Sequence, residues 1–116
     1  TIHPSAAKVR DAGEIVKRKR PDIIIDGEMQ ADTATSQELM ERTYPFSALM
    51  GKEVNTLIFP DMTSGNIAYK LLMKLGQAEA IGPIWMGMDK SVHVLQRSCE
   101  VSDIVNIAAF AASDAQ

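Results

Sequence analysis

The chain has 116 residues, of which 46% are hydrophobic and 23% charged, and this composition is typical of one folded globular domain. It excludes a disordered or collagen-like protein. The net charge is −3, with 12 lysines and arginines against 15 aspartates and glutamates, so nucleic acid is not an expected partner. No apolar run reaches the roughly 18 residues of a membrane span, so no membrane partner is predicted.

The cysteine and histidine content restricts the disulfide bonds and metal sites that we expect in this chain. The single cysteine, Cys99, cannot form an internal disulfide, which favours a reducing, cytoplasmic compartment. The two histidines, His3 and His93, are not at a metal-ligand spacing, so we expect no protein-bound metal. The chain begins at Thr1 rather than at a methionine. We interpret this beginning as truncation and expect the chain to be a piece of a longer protein.

The first predicted element is an amphipathic helix with Ser5 as its N-cap. Basic residues at 17–20 lie in its last turn, where they complement the helix dipole, and Pro21 ends it. A nuclear-localisation or nucleic-acid signal is the alternative interpretation of this basic run, and a solvated helix end is favoured. Its apolar residues recur at intervals of three and four, at Val9, Ala12, Ile15 and Val16.

Three short apolar runs predict strands, at residues 23–25, 56–59 and 92–95. The runs at 23–25 and 56–59 lack polar alternation, as in strands that are covered on both faces in a parallel sheet. Residues 80–88 contain glycine and proline and predict a loop that leads into a short strand or turn. Because strands alternate with helices, the predicted class is α/β, with a mostly parallel sheet and helices on both faces.

Three further helices are predicted after the first strand. Thr35 and Glu38 match a capping box, which begins a short helix. A regular apolar stripe predicts the clearest helix over residues 64–75, with Gly76 as its left-handed C-cap. Ser102 caps a last helix that is apolar nearly all round, so we expect it to be buried on several sides.

The first candidate site follows the second predicted strand. Ligands bind at strand ends in open α/β sheets, and the helix start at Ser64, Gly65 and Asn66 offers backbone N–H groups to an anion such as phosphate. The alternative is an ordinary turn in which serine and glycine only cap the helix. No Walker or GxGxxG pattern is present.

The second candidate site lies between the last strand and the last helix. Arg97 can clamp a phosphate, and Asp103 can accept a proton from a nucleophile nearby. Asp103 is also a common helix-start residue that the dipole stabilises, which is the alternative. Cys99 is interpreted as a buried or tolerated thiol rather than a nucleophile.

A third candidate is the acidic loop that follows the first predicted strand. Asp26, Glu28 and Asp32 carry carboxylates that could hold Mg²⁺ together with a phosphorylated substrate. A solvated loop is the favoured interpretation.

Four segments resemble, in order and spacing, the C-terminal part of the phosphate acetyltransferase and butyryltransferase (phosphotransacetylase) family. They are PDIIIDGEMQAD, TLIFPDMTSGNIAYKLL, AIGPIWMGMDKSVHVLQR and VSDIVNIAAFAASDAQ. The resemblance covers nearly the whole chain, from about Ala6 to Gln116. EMQADTA and VHVLQR are most similar to the phosphotransacetylase-like C-terminal domain of the large bacterial NADP-dependent malic enzymes.

The resemblance implies a two-lobed α/β fold, similar to that of isocitrate and isopropylmalate dehydrogenases, with a ligand cleft between the lobes. Residues 1–95 would belong to one lobe and residues 96–116 would cross to the other, and the lobe would be incomplete without its N-terminal part. The implied ligands are acetyl-CoA or CoA and phosphate or acetyl phosphate. NADP and a divalent metal would belong only to the missing malic enzyme part.

The resemblance also implies roles for single residues. Asp103 corresponds to the family's base toward the CoA thiol, and Arg97 to the arginine that stabilises the phosphate and the developing charge. Gln96 stands where the family has a serine beside the reacting groups, and Ser98 replaces the usual glycine, so binding is implied more strongly than turnover. The implied ligand-binding residues are Ser64, Gly65, Asn66, Gln96 and Arg97.

We therefore expect a phosphate acetyltransferase-like domain of a malic enzyme that converts malate to pyruvate and CO₂. It would bind acetyl-CoA as a regulatory module and form a homo-oligomer, a dimer or higher. The alternative is an active phosphate acetyl- or butyryltransferase that moves an acyl group between CoA and phosphate. A third interpretation is a purely structural dimerisation domain.

Overall fold

The structure is a computed structural model that describes residues 3–115. It contains five helices: α1 (Pro4–Lys19), α2 (Ala31–Thr35), α3 (Gln37–Thr43), α4 (Met62–Leu75) and α5 (Val101–Asp114). None of these helices is long and apolar enough to cross a membrane. The chain divides into two compact units, Thr1–Ala68 and Tyr69–Gln116, and each is described by itself below.

The predicted parallel sheet with helices on both faces is wrong for residues 3–115, which contain no strand. The runs at 23–25, 56–59 and 92–95 are not helical, as predicted. They are not strands either, because their backbone groups form no hydrogen bonds with one another. A strand exists only where its N–H and C=O groups pair with a neighbour. An apolar, β-branched composition indicates that a segment is suited to a sheet, but it does not show that a second segment lies beside it to pair with.

Very little apolar surface is covered within the described part of the chain. Met40 and Ile107 are the only buried hydrophobic residues there. Ile24 is 55% exposed and Ile58 67% exposed, although both lie in segments whose composition predicts burial on two sides. The described residues therefore do not form a common core that covers the apolar faces of the helices.

The first unit begins with α1, which His3 caps in place of the predicted Ser5. The Ser5 N–H donates to His3 Nδ1 at 3.2 Å, and Pro4 occupies the first helical position, where its missing N–H costs nothing. The side chains of Lys17, Arg18 and Lys19 do lie in the last turn, as expected of a helix C-terminus.

The predicted capping box at Thr35 and Glu38 is wrong, because Thr35 ends one short helix and a second begins after Ser36. The Leu39 N–H donates to Ser36 Oγ at 3.3 Å, so the cap is one residue further along. The Thr35 hydroxyl donates instead to the Ala31 carbonyl at 2.8 Å, a common local bond for a helical threonine.

Helix α4 begins at Met62, two residues before the predicted cap at Ser64. Its other end has a left-handed residue, but this is Gln77, with φ of 52°, and not Gly76. Ala78 N–H donates to the Leu72 carbonyl at 3.1 Å, which satisfies one of the free carbonyls of the last turn.

The last helix, α5, packs against the extended segment before it within the second unit. The His93 side chain is only 2% exposed, and its ring meets the Phe110 ring edge-on at 5.3 Å between centroids. His93 Nε2 also lies 3.0 Å from Ser91 Oγ. Helix α5 is not enclosed on several sides, because Val101 and Val105 are 76% and 60% exposed.

Candidate functional site

In the second unit, the side chain of Gln96 forms hydrogen bonds with two side chains that the sequence did not single out. Lys70 Nζ donates to Gln96 Oε1 at 2.7 Å, and Gln96 Nε2 donates to Tyr69 Oη at 3.2 Å. Both partners lie on α4, while Gln96 precedes the turn that leads to α5. The position that carries a serine in the resembling family therefore holds a carboxamide with a partner at each end.

Arg97 lies in the exposed turn that follows Gln96. Within the described part of the chain, its guanidinium has no hydrogen-bond or ion-pair partner. A planar guanidinium with all its donors available can take a phosphate or carboxylate in a two-point contact. Among the described residues, the donors of Arg97 are therefore not used by another protein group.

Asp103 caps the turn that begins α5. Its Oδ2 accepts a hydrogen bond from the Glu100 N–H at 2.8 Å, and the carboxylate lies in the first turn, where the helix dipole stabilises negative charge. A backbone donor at one carboxylate oxygen fixes the orientation of the side chain. The structure thus assigns Asp103 the structural capping role that competes with its predicted role as a base.

Cys99 is half-buried and forms no disulfide. Its backbone N–H donates to the Gln96 carbonyl at 3.1 Å, which closes the turn that carries Arg97. Cys99 therefore contributes its backbone to the shape of the site.

The predicted anion site at Ser64, Gly65 and Asn66 belongs to the first unit, at the beginning of α4. Ser64 N–H donates to Asp61 Oδ1 at 2.8 Å, and the Ser64 hydroxyl also donates to the Asp61 carbonyl at 3.0 Å. Gly65 N–H donates to the Asp61 carbonyl at 3.2 Å. An internal carboxylate thus occupies the first turn, where the sequence predicts a phosphate.

Asp61 holds its negative charge firmly at this helix start. The hydrogen bond from the Ser64 N–H, followed by that from its hydroxyl, lowers the pKa of Asp61 below its ordinary value. The charge of Asp61 would repel a phosphate at the same N–H groups. Binding of an anion there would first require Asp61 to move away.

Carboxylates of the acidic loop form hydrogen bonds or an ion pair with other protein groups and do not converge on one point. Asp26 Oδ2 accepts from Ser47 Oγ at 2.8 Å and from the Ala48 N–H at 3.0 Å. Glu28 Oε1 lies 3.7 Å from a nitrogen of Arg10. No group of three or more histidine, cysteine, aspartate or glutamate residues among residues 3–115 could hold a metal ion.

A cavity of about 490 Å³ lies beside this loop in the first unit. Its lining combines both charge signs with aromatic rings, and it includes Arg10, Lys17, Asp26, Glu28, Tyr44 and Phe46. Because the cations are matched by carboxylates, the cavity has no single charge that would select an anion.

Three participants were missed by sequence reasoning. Tyr69 and Lys70 carry no local signal, since they contact Gln96 across 27 and 26 residues of chain. Asp61 had a signal, because an aspartate three residues before Ser64 is a preferred helix cap.

Comparison with known proteins identifies relatives along almost the entire chain. A family model described as phosphate acetyl/butaryl transferase matches residues 1–112. The phosphate acetyltransferase of Thermoanaerobacterium thermosaccharolyticum is 47% identical over 98% of this chain and 34% of its own length. That of Clostridium acetobutylicum is 45% identical over 94% of this chain and 32% of its own length.

A relative of a second kind is also similar to this chain. The NADP-dependent malic enzyme of Rhizobium meliloti is 44% identical over 97% of this chain, which corresponds to 15% of the malic enzyme. The chain thus spans about a third of the length of these two phosphate acetyltransferases, and 15% of the length of the malic enzyme.

Proposed function

This chain belongs to the phosphate acetyl/butaryl transferase family, and we propose that it binds acetyl-CoA as a regulatory and oligomer-forming part of a malic enzyme-type protein. The likeness to the Rhizobium meliloti NADP-dependent malic enzyme supports this parent. NADP and a divalent metal would then belong to the remainder of that protein. The single cysteine, Cys99, supports a cytoplasmic location.

The observation that carries the proposal is the double hydrogen bonding of Gln96. The family serine to which Gln96 corresponds would offer a short hydroxyl beside the reacting groups. The carboxamide is longer, and its oxygen and nitrogen are both engaged by α4. Such a group holds the turn in place and contributes no hydroxyl to chemistry, which favours ligand binding over turnover.

Arg97 is the proposed anchor for the ligand. Acetyl-CoA carries phosphates, and an exposed guanidinium can pair with a phosphate through two parallel hydrogen bonds. Turnover would also need a base that removes the CoA thiol proton, so that the sulfur attacks the acyl phosphate carbonyl and inorganic phosphate leaves. Asp103 is the family's candidate, and its bond to the Glu100 N–H occupies one of its two oxygens.

Regulation follows from differential binding. A ligand that binds one conformational or oligomeric state more tightly shifts the population toward that state. A coupling of about 1–3 kcal/mol changes the affinity of the distant site by about 5- to 150-fold. Acetyl-CoA bound near Arg97 would in this way change malic enzyme activity without any acyl transfer.

Arg97→Ala in the full-length protein tests the proposal. Calorimetric titration should show acetyl-CoA binding in the wild type, and about tenfold weaker binding or none in the variant, because a charged hydrogen-bond donor is lost. Arg18→Ala, which removes an exposed arginine of α1, is the matched control and should bind normally. The same Arg97 variant should lose the response of malic enzyme activity to acetyl-CoA.

An active phosphate acetyltransferase is the second candidate, favoured by two phosphate acetyltransferases at 47% and 45% identity. Formation of acetyl-CoA from acetyl phosphate and CoA by the wild type, abolished in Arg97→Ala, would establish it and contradict the regulatory proposal. A wild type that forms an oligomer and binds no acetyl-CoA would leave only a structural role.

A further inference from the structure

Gln96 is fastened to α4 by two residues that are adjacent in the chain. Lys70 donates to its carboxamide oxygen at 2.7 Å, and its carboxamide nitrogen donates to Tyr69 Oη at 3.2 Å. Since 26 residues separate Lys70 from Gln96, the contacts tie the turn to a helix that is distant in sequence. We call the three side chains the Gln96 network.

A carboxamide is the group that satisfies both partners of this network at once. The Lys70 ammonium has only donors, so it requires the oxygen of Gln96. The nitrogen is then directed to the Tyr69 hydroxyl, which can accept. Leucine in place of Gln96 would satisfy neither partner, whereas arginine in place of Lys70 would keep a donor.

The third side of the network joins Lys70 to Tyr69. Lys70 Nζ lies 5.0 Å from the centroid of the Tyr69 ring, within the range at which an aromatic face attracts a cation. Each member thus contacts the other two. Networks of this kind hold a side chain in one rotamer more firmly than a single hydrogen bond does.

We propose that Tyr69 and Lys70 are positioning residues, which act through Gln96 to hold the turn that presents Arg97 to the phosphate of an acyl-CoA ligand. The inference rests on the function proposed above for Arg97. An arginine in an exposed turn loses conformational freedom when it binds, and a turn that is already held reduces this cost. Tyr69 and Lys70 would therefore add affinity without contacting the ligand.

Tryptic cleavage of the Arg97–Ser98 bond tests the positioning independently of any ligand. We expect Lys70→Met and Gln96→Leu to increase the cleavage rate at this bond by about fivefold in the full-length protein, the equivalent of one hydrogen bond of about 1 kcal/mol. Lys70→Arg should restore the wild-type rate. Lys74→Met, on the same helix and without a partner among the described residues, is the matched control and should not change it.

Calorimetric titration with acetyl-CoA provides the second measurement. Lys70→Met and Gln96→Leu should each weaken binding by about fivefold. The double variant should be no weaker than either single variant, because both remove the same interaction. A structural defect elsewhere would instead give additive losses and a lower melting temperature.

The outcomes separate this inference from the proposed function. Wild-type cleavage rates in both single variants, or additive losses of affinity, would overturn the network. If the wild type binds no acetyl-CoA, the proposed function fails, and the cleavage rates alone decide whether the network holds the turn.

Discussion

The side chain at position 96 has hydrogen-bond partners that the sequence does not reveal. Serine and glutamine are both polar and uncharged, but they differ in length and in the number of hydrogen bonds they can form. Here the longer carboxamide reaches Lys70 and Tyr69 on α4, which a serine hydroxyl at the same position is too short to do at once. The sequence shows glutamine at position 96. Only the structure identifies Lys70 and Tyr69 as its hydrogen-bond partners.

Asp26 shows the same dependence on partners in the first unit. Burial, the largest single influence, raises the pKa of Asp26, but hydrogen bonds from Ser47 Oγ and from the Gly27 and Ala48 N–H groups, together with Lys17, outweigh it. The pKa of Asp26 is consequently lowered from its ordinary value of 3.8. The carboxylate thereby joins the acidic loop to residues 47–48, rather than serving a cation.

We predict that Asp26→Asn destabilises the protein at neutral pH by about 1–2 kcal/mol, through the loss of charge-assisted hydrogen bonds. Because the folded-state pKa is lowered, this contribution is present above pH 3.8 and is lost as the pH falls through the folded-state pKa. Thermal unfolding between pH 7 and pH 2.5 measures it.

The difference between wild type and Asp26→Asn should therefore shrink toward the acid end of that range. Asp89→Asn, an exposed loop substitution, is the control and should differ little from wild type throughout. A difference that stays constant down to pH 2.5 would show that the carboxylate charge is not what stabilises the loop.

The three longest helices were predicted correctly from the sequence, but the residues that cap them were not. The existence of α1, α4 and α5 follows from apolar periodicity, and the structure confirms these helices. Their caps are shifted by one to three residues, because several neighbouring side chains are competent caps and the backbone geometry selects among them. At α1, for example, His3 and Ser5 compete, and Pro4 at the first helical position favours the earlier start.

At the C-terminal end of α4, the left-handed residue is Gln77 rather than the glycine before it. A side chain in this conformation costs about 1 kcal/mol relative to glycine. We predict that Gln77→Gly stabilises the protein by about that amount, measured as the free energy of unfolding in urea. Gln77→Ala, which keeps a Cβ atom, should change it little.

Gly76→Ala should act in the opposite direction. A Cβ atom at Gly76 would lie 2.8 Å from the Leu72 carbonyl oxygen, so the last turn of α4 would have to distort. The two substitutions together locate the left-handed residue. If Gln77→Gly did not stabilise the protein while Gly76→Ala still destabilised it, the left-handed position would lie at residue 76, as the sequence predicts.

At the scale of the whole molecule, the dominant feature is exposed apolar surface. Ile24, Ile58 and Val94 are each at least half exposed, and each lies in a segment for which the sequence predicts a strand. Large contiguous apolar patches are uncommon on soluble monomers and mark surfaces that associate. The surface is consistent with a chain that spans about a third of its phosphate acetyltransferase relatives.

We predict that the 116-residue chain, produced by itself, binds the dye 8-anilinonaphthalene-1-sulfonate, because the dye fluoresces on accessible apolar surface. The double variant Ile24→Gln/Ile58→Gln should lower the fluorescence. Lys19→Gln/Lys52→Gln, two exposed polar positions, is the matched control and should not. Equal fluorescence in all three chains would mean that these isoleucines are covered in solution.

The sequence by itself determined the family, the helical segments and the kinds of side chain at the turn before α5. These follow from local order: motif spacing, apolar periodicity and the identity of Gln96, Arg97 and Asp103. It also predicted a sheet, which the structure does not contain within residues 3–115. A β-branched composition is a property of one segment, whereas a strand requires hydrogen bonds to a second segment.

The tertiary structure alone decided which side chains meet. It joined Gln96 to Lys70 and Tyr69 across 26 and 27 residues. No periodicity encodes such contacts, because they depend on where the chain returns in space rather than on what lies beside each residue.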